Sequence, residues 1–185
     1  ELATAYAAAA LGAGLVLSTQ ASVPLEPIAQ AVLSDPGRGP LWFQLYLQHD
    51  RGFTRALVQR AEAAGYEALV LTVDAPTSGI RDRERRAQFR LPPGIGPVNL
   101  AGLQAAPAPQ LQPGQSALFD GLLHQAPTWD DIAWLRSITR LPVLLKGVLH
   151  PADATQAAAA GAAGVIVSNH GGRTLDTVPS TAVAL

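Results

Sequence analysis

The sequence predicts an α/β fold built on a parallel sheet, and three observations carry that expectation. Apolar runs of strand length alternate with helical patterns along the 185 residues. Glycines sit at the junctions where a helical pattern gives way to the next apolar run. In every one of those runs the polar residues gather at the C-terminal end.

The elements follow in order. Leu2 to Leu11 is an alanine-rich helical run, stopped at Leu11-Gly12-Ala13-Gly14, where glycine can take the left-handed conformation that ends a helix. Leu15 to Ser18 reads as the first strand and Leu41 to Tyr46 as the second. Asp50 is placed as an N-cap, and the helix behind it carries Phe53, Leu57 and Ala61 on one face before stopping at Ala63-Ala64-Gly65. Ala68 to Asp74 is the third strand. Thr128, with Asp131 three residues on, has the spacing of a capping box. Pro142 to Val148 is the fourth strand, and after Gly161-Ala162-Ala163-Gly164 the run Gly164 to His170 is the fifth.

One segment, about 91–127, breaks the rhythm and is expected to be a long loop. From Leu91 to Phe119 it has no charged residue, yet six prolines lie between Pro92 and Pro113. Its prolines and glutamines exclude a membrane-spanning helix, which needs about 20 mostly apolar residues. A loop of this length in a compact domain is usually a lid or a disordered excursion.

Composition narrows the function classes. With 48% hydrophobic residues the chain can bury a substantial core, as one domain or a large part of one. A net charge of −1 with scattered charges leaves no basic patch, so neither nucleic acid nor an anionic membrane is an expected partner. The absence of cysteine excludes disulfides, thiolate metal sites and a catalytic thiol; it fits a reducing compartment, and a cytoplasmic location is expected, with a membrane-peripheral form left open. The chain starts at Glu1 and has no methionine, so it reads as an internal piece of a longer protein. Its single lysine, Lys146, lies inside the apolar run Pro142-Val-Leu-Leu-Lys-Gly, beside twelve arginines elsewhere in the chain.

Side chains alternate faces along a strand. Val16 and Ser18 share one face, as do Trp42, Gln44 and Tyr46, then Val70, Thr72 and Asp74, then Leu144 and Lys146, then Ile166, Ser168 and His170. A parallel barrel builds its active site from strand C-termini and the loops after them, so these polar ends are read as the rim of a pocket. Plainer readings compete with this one. A serine or threonine at a strand end is more often a cap or turn residue, and a histidine there is often an ordinary hydrogen bonder. His49, His124 and His150 fall in loop or helix-start contexts and are expected on the solvated surface, as are Asp176 and most of the Arg81 to Arg90 charge run. Gly171-Gly172 alone is a weak phosphate-loop signal. Lys146 is the hardest to explain this way, because a buried lysine is costly unless paired or used.

Taken together, LSTQAS, WFQLY, LTVDAP, LLKGV and VSNHGGR-x-LD resemble the FMN-dependent α-hydroxy acid oxidases and dehydrogenases, a family that includes glycolate oxidase, lactate oxidase and L-lactate dehydrogenase. The likeness runs from near Glu1 to Leu185. It implies a (β/α)8 TIM barrel of which residues 1–185 are an internal part, about strands two to six, within a single domain. It also implies FMN as cofactor, contacted by Ser18, Gln44, Thr72, Lys146 and Ser168, with Lys146 beside N1 and the C2 carbonyl, where its charge favours the reduced, anionic flavin. His170 is implied as the base that takes a proton from a 2-hydroxy acid, and Asp74 as the acceptor that orients and charge-stabilises its imidazole. Arg81 and Arg173 are implied to hold the substrate carboxylate and Tyr46 to hydrogen-bond the substrate.

The resemblance further implies oxidation of a small, lactate-like L-2-hydroxy acid to the 2-oxo acid, with oxygen or a quinone or cytochrome as electron acceptor, and a tetramer-like homo-oligomer. No metal is expected. Gln20 departs from the tryptophan of glycolate oxidases at a position expected to face the substrate side chain, which argues against glycolate. The family's N-terminal substrate tyrosine and its phosphate-binding loops after strands seven and eight have no counterpart in these residues. Two other readings stay open: a different FMN barrel such as a type 2 isopentenyl diphosphate isomerase, which does not need the His170, Arg173 and Arg81 constellation, and a non-catalytic barrel fragment.

Overall fold

Five strands pair in parallel and in chain order: β1 (Leu15–Ser18), β2 (Leu41–Leu45), β3 (Ala68–Thr72), β4 (Val143–Val148) and β5 (Gly164–Val167). This computed structural model describes residues 1–185 apart from Thr77, Ser78, Ile80, Pro109, His124 and Gln125, so the expectation for His124 lies outside the described residues. Helices separate the strands: α1 (Leu2–Ala10), α2 (Leu25–Val32), α3 (Arg51–Ala63), α4 (Asp82–Arg86), α5 (Trp129–Ile138), α6 (Pro151–Ala159) and α7 (Thr181–Ala184). The fold is α/β, and the strand order is that of consecutive βα units in a (β/α)8 barrel.

The core lies between the sheet and the helices packed on one face of it. Leu41, Phe43 and Leu45 of β2, Leu69 and Leu71 of β3, and Val143 and Leu145 of β4 meet Ile28 of α2, Leu57 and Val58 of α3, and Leu135 of α5. Only the central strand β3 is buried on both faces. On the open face of the edge strand β1 Val16 is 46% exposed, and in the other edge strand β5 even Val165, which pairs with Leu145 on the helix side, is 36% exposed.

The helix boundaries obey the chemistry of their caps. The Asp50 side chain accepts from Phe53 N at 3.0 Å, and the Thr128–Asp131 capping box is formed. Gly12, Gly65 and Gly161 all take positive φ, as the helix-stop reading requires. The inward face of α3 differs from the expected one: Thr54, Leu57, Val58 and Ala61 are buried, and Phe53 is half-buried. Thr54 can take the inward place because its hydroxyl donates to the Asp50 carbonyl at 3.1 Å and accepts from Gln48 N at 3.1 Å.

Three strands end earlier than the sequence predicts. β2 stops at Leu45, β3 at Thr72 and β5 at Val167, so Tyr46, Asp74, Ser168 and His170 lie just past the sheet. Strict alternation also fails in β4. Lys146 pairs with Ile166, but the next pair is Val148 with Val167, which leaves Gly147 as an extra, bulged residue. The bulge keeps Val143, Leu145 and Val148 on the buried face while Lys146 points the other way.

The long loop is not wholly irregular. It holds a 3-10 turn at Val98–Leu100 and a π-helical stretch at Ala117–Leu122. Its root is pinned by Asn99, which is 1% exposed and accepts from Leu25 N at the start of α2 at 3.0 Å. Among the described residues no helix is long and apolar enough to cross a membrane.

Candidate active site

Hydrogen bonds and ion pairs sort the polar residues at the strand C-termini into three sets. The first lies along the ends of β1, β2 and β3. The Ser18 hydroxyl donates to Gln44 Oε1 at 3.2 Å, and Gln44 Nε2 donates to Thr72 Oγ1 at 3.0 Å. Register places them in this order, with Ser18 beside Gln44 in adjacent strands.

The second set is centred on Asp74, whose side chain is 9% exposed. Asp74 Oδ2 faces Lys146 Nζ at 3.4 Å, and Asp74 Oδ1 lies 2.8 Å from His170 Nδ1. A carboxylate can only accept, so Nδ1 carries the proton toward Asp74 and Nε2 is left free to accept one. Lys146 is therefore paired and half-exposed on the open face of the sheet, which answers the cost of placing it in an apolar run.

His170 does not reach Asp74 by strand alternation. The chain leaves β5 into a tight turn in which His170, Gly171 and Gly172 all have positive φ, at 56°, 67° and 69°. The Ser168 hydroxyl accepts from His170 N at 3.1 Å, and Asn169 Oδ1 accepts from Gly171 N at 3.0 Å, so the turn is held from both sides. Such a turn needs Gly171 and Gly172 for their backbone freedom, a more economical role than a phosphate loop.

The third set joins two loops. Glu84 Oε2 faces Arg81 Nη1 and Glu84 Oε1 faces Arg173 Nη2, each at 3.5 Å. These loops also touch at Gly79, where any Cβ would overlap the Arg173 carbonyl.

Members of all three sets border one cavity of about 440 Å³, lined by Gln20, Tyr46, Thr72, Arg81, His170 and Arg173, with Leu100, Ala126 and Pro127 from the long loop. Burial first, and then the nearby Asp74 charge, raises the Tyr46 phenol above its ordinary range against the opposing effect of Arg81. Tyr46 therefore keeps its proton at neutral pH and can donate it in a hydrogen bond. His49 and His150 are exposed as expected, and His150 Nδ1 accepts from Ala152 N as the cap of α6.

Sequence reasoning missed three residues here. Thr19, fully buried, donates its hydroxyl to the Gln44 carbonyl at 2.6 Å and fixes the strand end that carries Tyr46. Glu84 was hidden inside a charge run read as solvated. Gly147 was visible only as a glycine within a strand pattern, which is the usual mark of a bulge or a close approach.

Ser18, Gln44, Thr72 and Lys146 follow one another across the strand ends, with Ser168 just past β5, and they suit an isoalloxazine ring because they supply hydroxyls, a carboxamide and one cation at one end of the sheet. The apolar Val16, Trp42 and Ile166 share the face of β1, β2 and β5 on which that row lies.

A model of the FMN-dependent dehydrogenase family matches residues 1–185. The chain is 54% identical over 180 residues to an L-lactate oxidase of Roseobacter sp. (strain GAI101), covering 97% of this chain and 47% of that protein. It is 44% identical over 186 residues to glycolate oxidase 3 of Arabidopsis thaliana, covering 100% and 49%. A solved structure of mandelate oxidase superposes with a TM-score of 0.79 at 39% identity, over 100% of this chain and 48% of that one. The chain spans about half the length of the curated relatives it matches. With its five motifs in order, its parallel βα topology and its polar strand ends, the chain belongs to the FMN-dependent dehydrogenase family.

Proposed function

We propose that the protein oxidises a small L-2-hydroxy acid to the corresponding 2-oxo acid, with FMN as cofactor. The observation that carries this reading is the His170 Nδ1 contact to Asp74 Oδ1 at 2.8 Å, on the wall of a cavity that Arg81 and Arg173 also line. A base and a pair of guanidiniums in one cavity match the two ends of a 2-hydroxy carboxylate.

The substrate carboxylate binds Arg81 and Arg173, whose planar guanidiniums suit its two oxygens. That anchoring turns the hydroxyl-bearing carbon toward His170. Nε2 of His170 takes a substrate proton, and Asp74 stabilises the imidazolium that results while holding the ring in place. Tyr46, kept protonated by its burial, donates a hydrogen bond to the substrate. Lys146, Ser168 and the Ser18–Gln44–Thr72 chain would hold the ring of the cofactor. When bound, FMN would supply the acceptor for the two electrons and the second hydrogen that the substrate loses.

Gln20 puts a carboxamide on the cavity wall, at the position expected to face the substrate side chain, and we propose a lactate-like substrate. The names of the relatives, lactate and glycolate oxidases, support oxygen as the acceptor. A homo-oligomer in the cytoplasm completes the proposal.

The test is His170→Gln in the intact protein. Turnover of L-lactate is expected to fall by at least about 10²–10⁴-fold, the usual share of a general base, with the flavin spectrum retained. Loss of FMN together with activity would recast His170 as a structural residue and overturn the reading.

A further inference from the structure

We propose that Gly147 is a positioning residue for proton removal: the bulge it forms in β4 makes the room in which the Asp74 carboxylate sits between Lys146 and His170. The inference rests on the functional reading above.

Gly147 is skipped between the Lys146–Ile166 and Val148–Val167 pairs of β4 with β5, and its φ is +112°. A Cβ at this position would overlap Asp74 Cβ, would lie 2.5 Å from Asp74 Cγ and would lie 2.8 Å from Asp74 N. Those atoms belong to the backbone and the stiff base of a short side chain, so they cannot yield as the tip of a long one could. Any side chain at 147 therefore pushes Asp74 away, and asparagine, which tolerates positive φ better than most, has no more room than alanine.

A glycine within a strand does not by itself imply such a role. Gly164, in β5, has only the Leu144 side chain near its Cβ position, at 3.6 Å, and carries no comparable constraint. At Gly147 the constraint falls on the carboxylate that accepts the His170 Nδ1 hydrogen bond at 2.8 Å and faces Lys146 at 3.4 Å. The residue next to the lysine thus sets where the carboxylate stands, and through it the imidazole. Gly147 touches neither substrate nor cofactor in this account; it acts through Asp74.

The experiment compares the intact protein with Gly147→Ala, Asp74→Asn and the double variant, by anaerobic flavin reduction with L-lactate. Gly147→Ala is expected to lower the limiting reduction rate about 10²-fold, since a misplacement of about 1 Å can cost that much, with KM within about threefold because the arginines lie on other loops. The double variant is expected to be no more than about threefold slower than the slower single one, because both changes act on one carboxylate. A Gly147→Ala rate within threefold of the unmodified protein overturns the inference, as do losses that multiply in the double variant. If Gly147→Ala does not fold, Gly147→Ala with Asp74→Gly removes the overlapping Cβ and Cγ but leaves the approach to Asp74 N, and is expected to give more soluble flavoprotein than Gly147→Ala; no gain also overturns the inference. An unmodified protein whose flavin no hydroxy acid reduces would instead sink the functional reading itself.

Discussion

His170 holds its side chain on a left-handed backbone, a conformation that costs a non-glycine residue on the order of 1–3 kcal/mol unless its surroundings impose it. Here Ser168 and Asn169 impose it, and the imidazole is delivered to Asp74. The arginine pair is set with similar economy. Glu84 faces both guanidiniums at 3.5 Å and so joins the two segments that bring Arg81 and Arg173 to the cavity. Geometry, more than charge, is what these residues contribute. Arg81→Lys and Arg173→Lys each keep the charge but lose the planar fork. Each is expected to raise KM for L-lactate at least tenfold in steady-state assays. Unchanged kinetics in both variants would remove the carboxylate clamp.

Among the elements, the strand interiors were legible because apolar runs with polar ends are a local pattern, and the caps at Asp50 and Thr128 were legible because their spacing is fixed. The bulge at Gly147 and the turn at His170 were not. Both depend on backbone dihedrals that the surrounding packing selects, so period-two counting reached Asp74 and His170 by the wrong route while placing them at the right end of the sheet. Tyr66 shows how firmly the layers are joined. Its ring meets Phe43 edge-on at 5.6 Å and its hydroxyl donates to the Leu25 carbonyl at 2.9 Å, tying α2 to the start of β3. Burial, with a smaller contribution from Glu26, pushes its phenol well above the ordinary value. The folded state therefore keeps the proton at a pH where the unfolded chain releases it. This contribution to stability is complete below about pH 10, the unfolded value, and is lost as pH rises beyond it. Urea midpoints measured from pH 8 to 11 are expected to fall above pH 10 in the native protein, and to fall less in Tyr66→Phe. A parallel decline in both would assign alkaline sensitivity to other groups.

At the scale of the whole chain, the pairing of Arg81 with Arg173 was expected from resemblance alone, because nothing local in the sequence brings the loop after β3 to the loop after β5. Gly79 against the Arg173 carbonyl does so, and it is a contact between distant residues. The sheet itself raises a sharper question. β1 pairs only with β2 and β5 only with β4 among the described residues, so the sheet has two unpaired edges. A barrel has no edges because its first and last strands meet. Val16 and Val165 are exposed on these two edge strands, and Ser18 stands exposed at the end of one. Unpaired backbone groups beside apolar side chains are a template for pairing with another chain. Residues 1–185 expressed by themselves are therefore expected to self-associate and to bind FMN weakly, because Ser18, at one end of the row of residues proposed to hold the flavin ring, stands exposed on an unpaired edge strand. Sedimentation velocity across a concentration series, with flavin fluorescence recorded on the same samples, checks both parts. A monodisperse monomer that holds FMN tightly would show that the open edges are capped in solution and that the five-stranded sheet suffices for the cofactor.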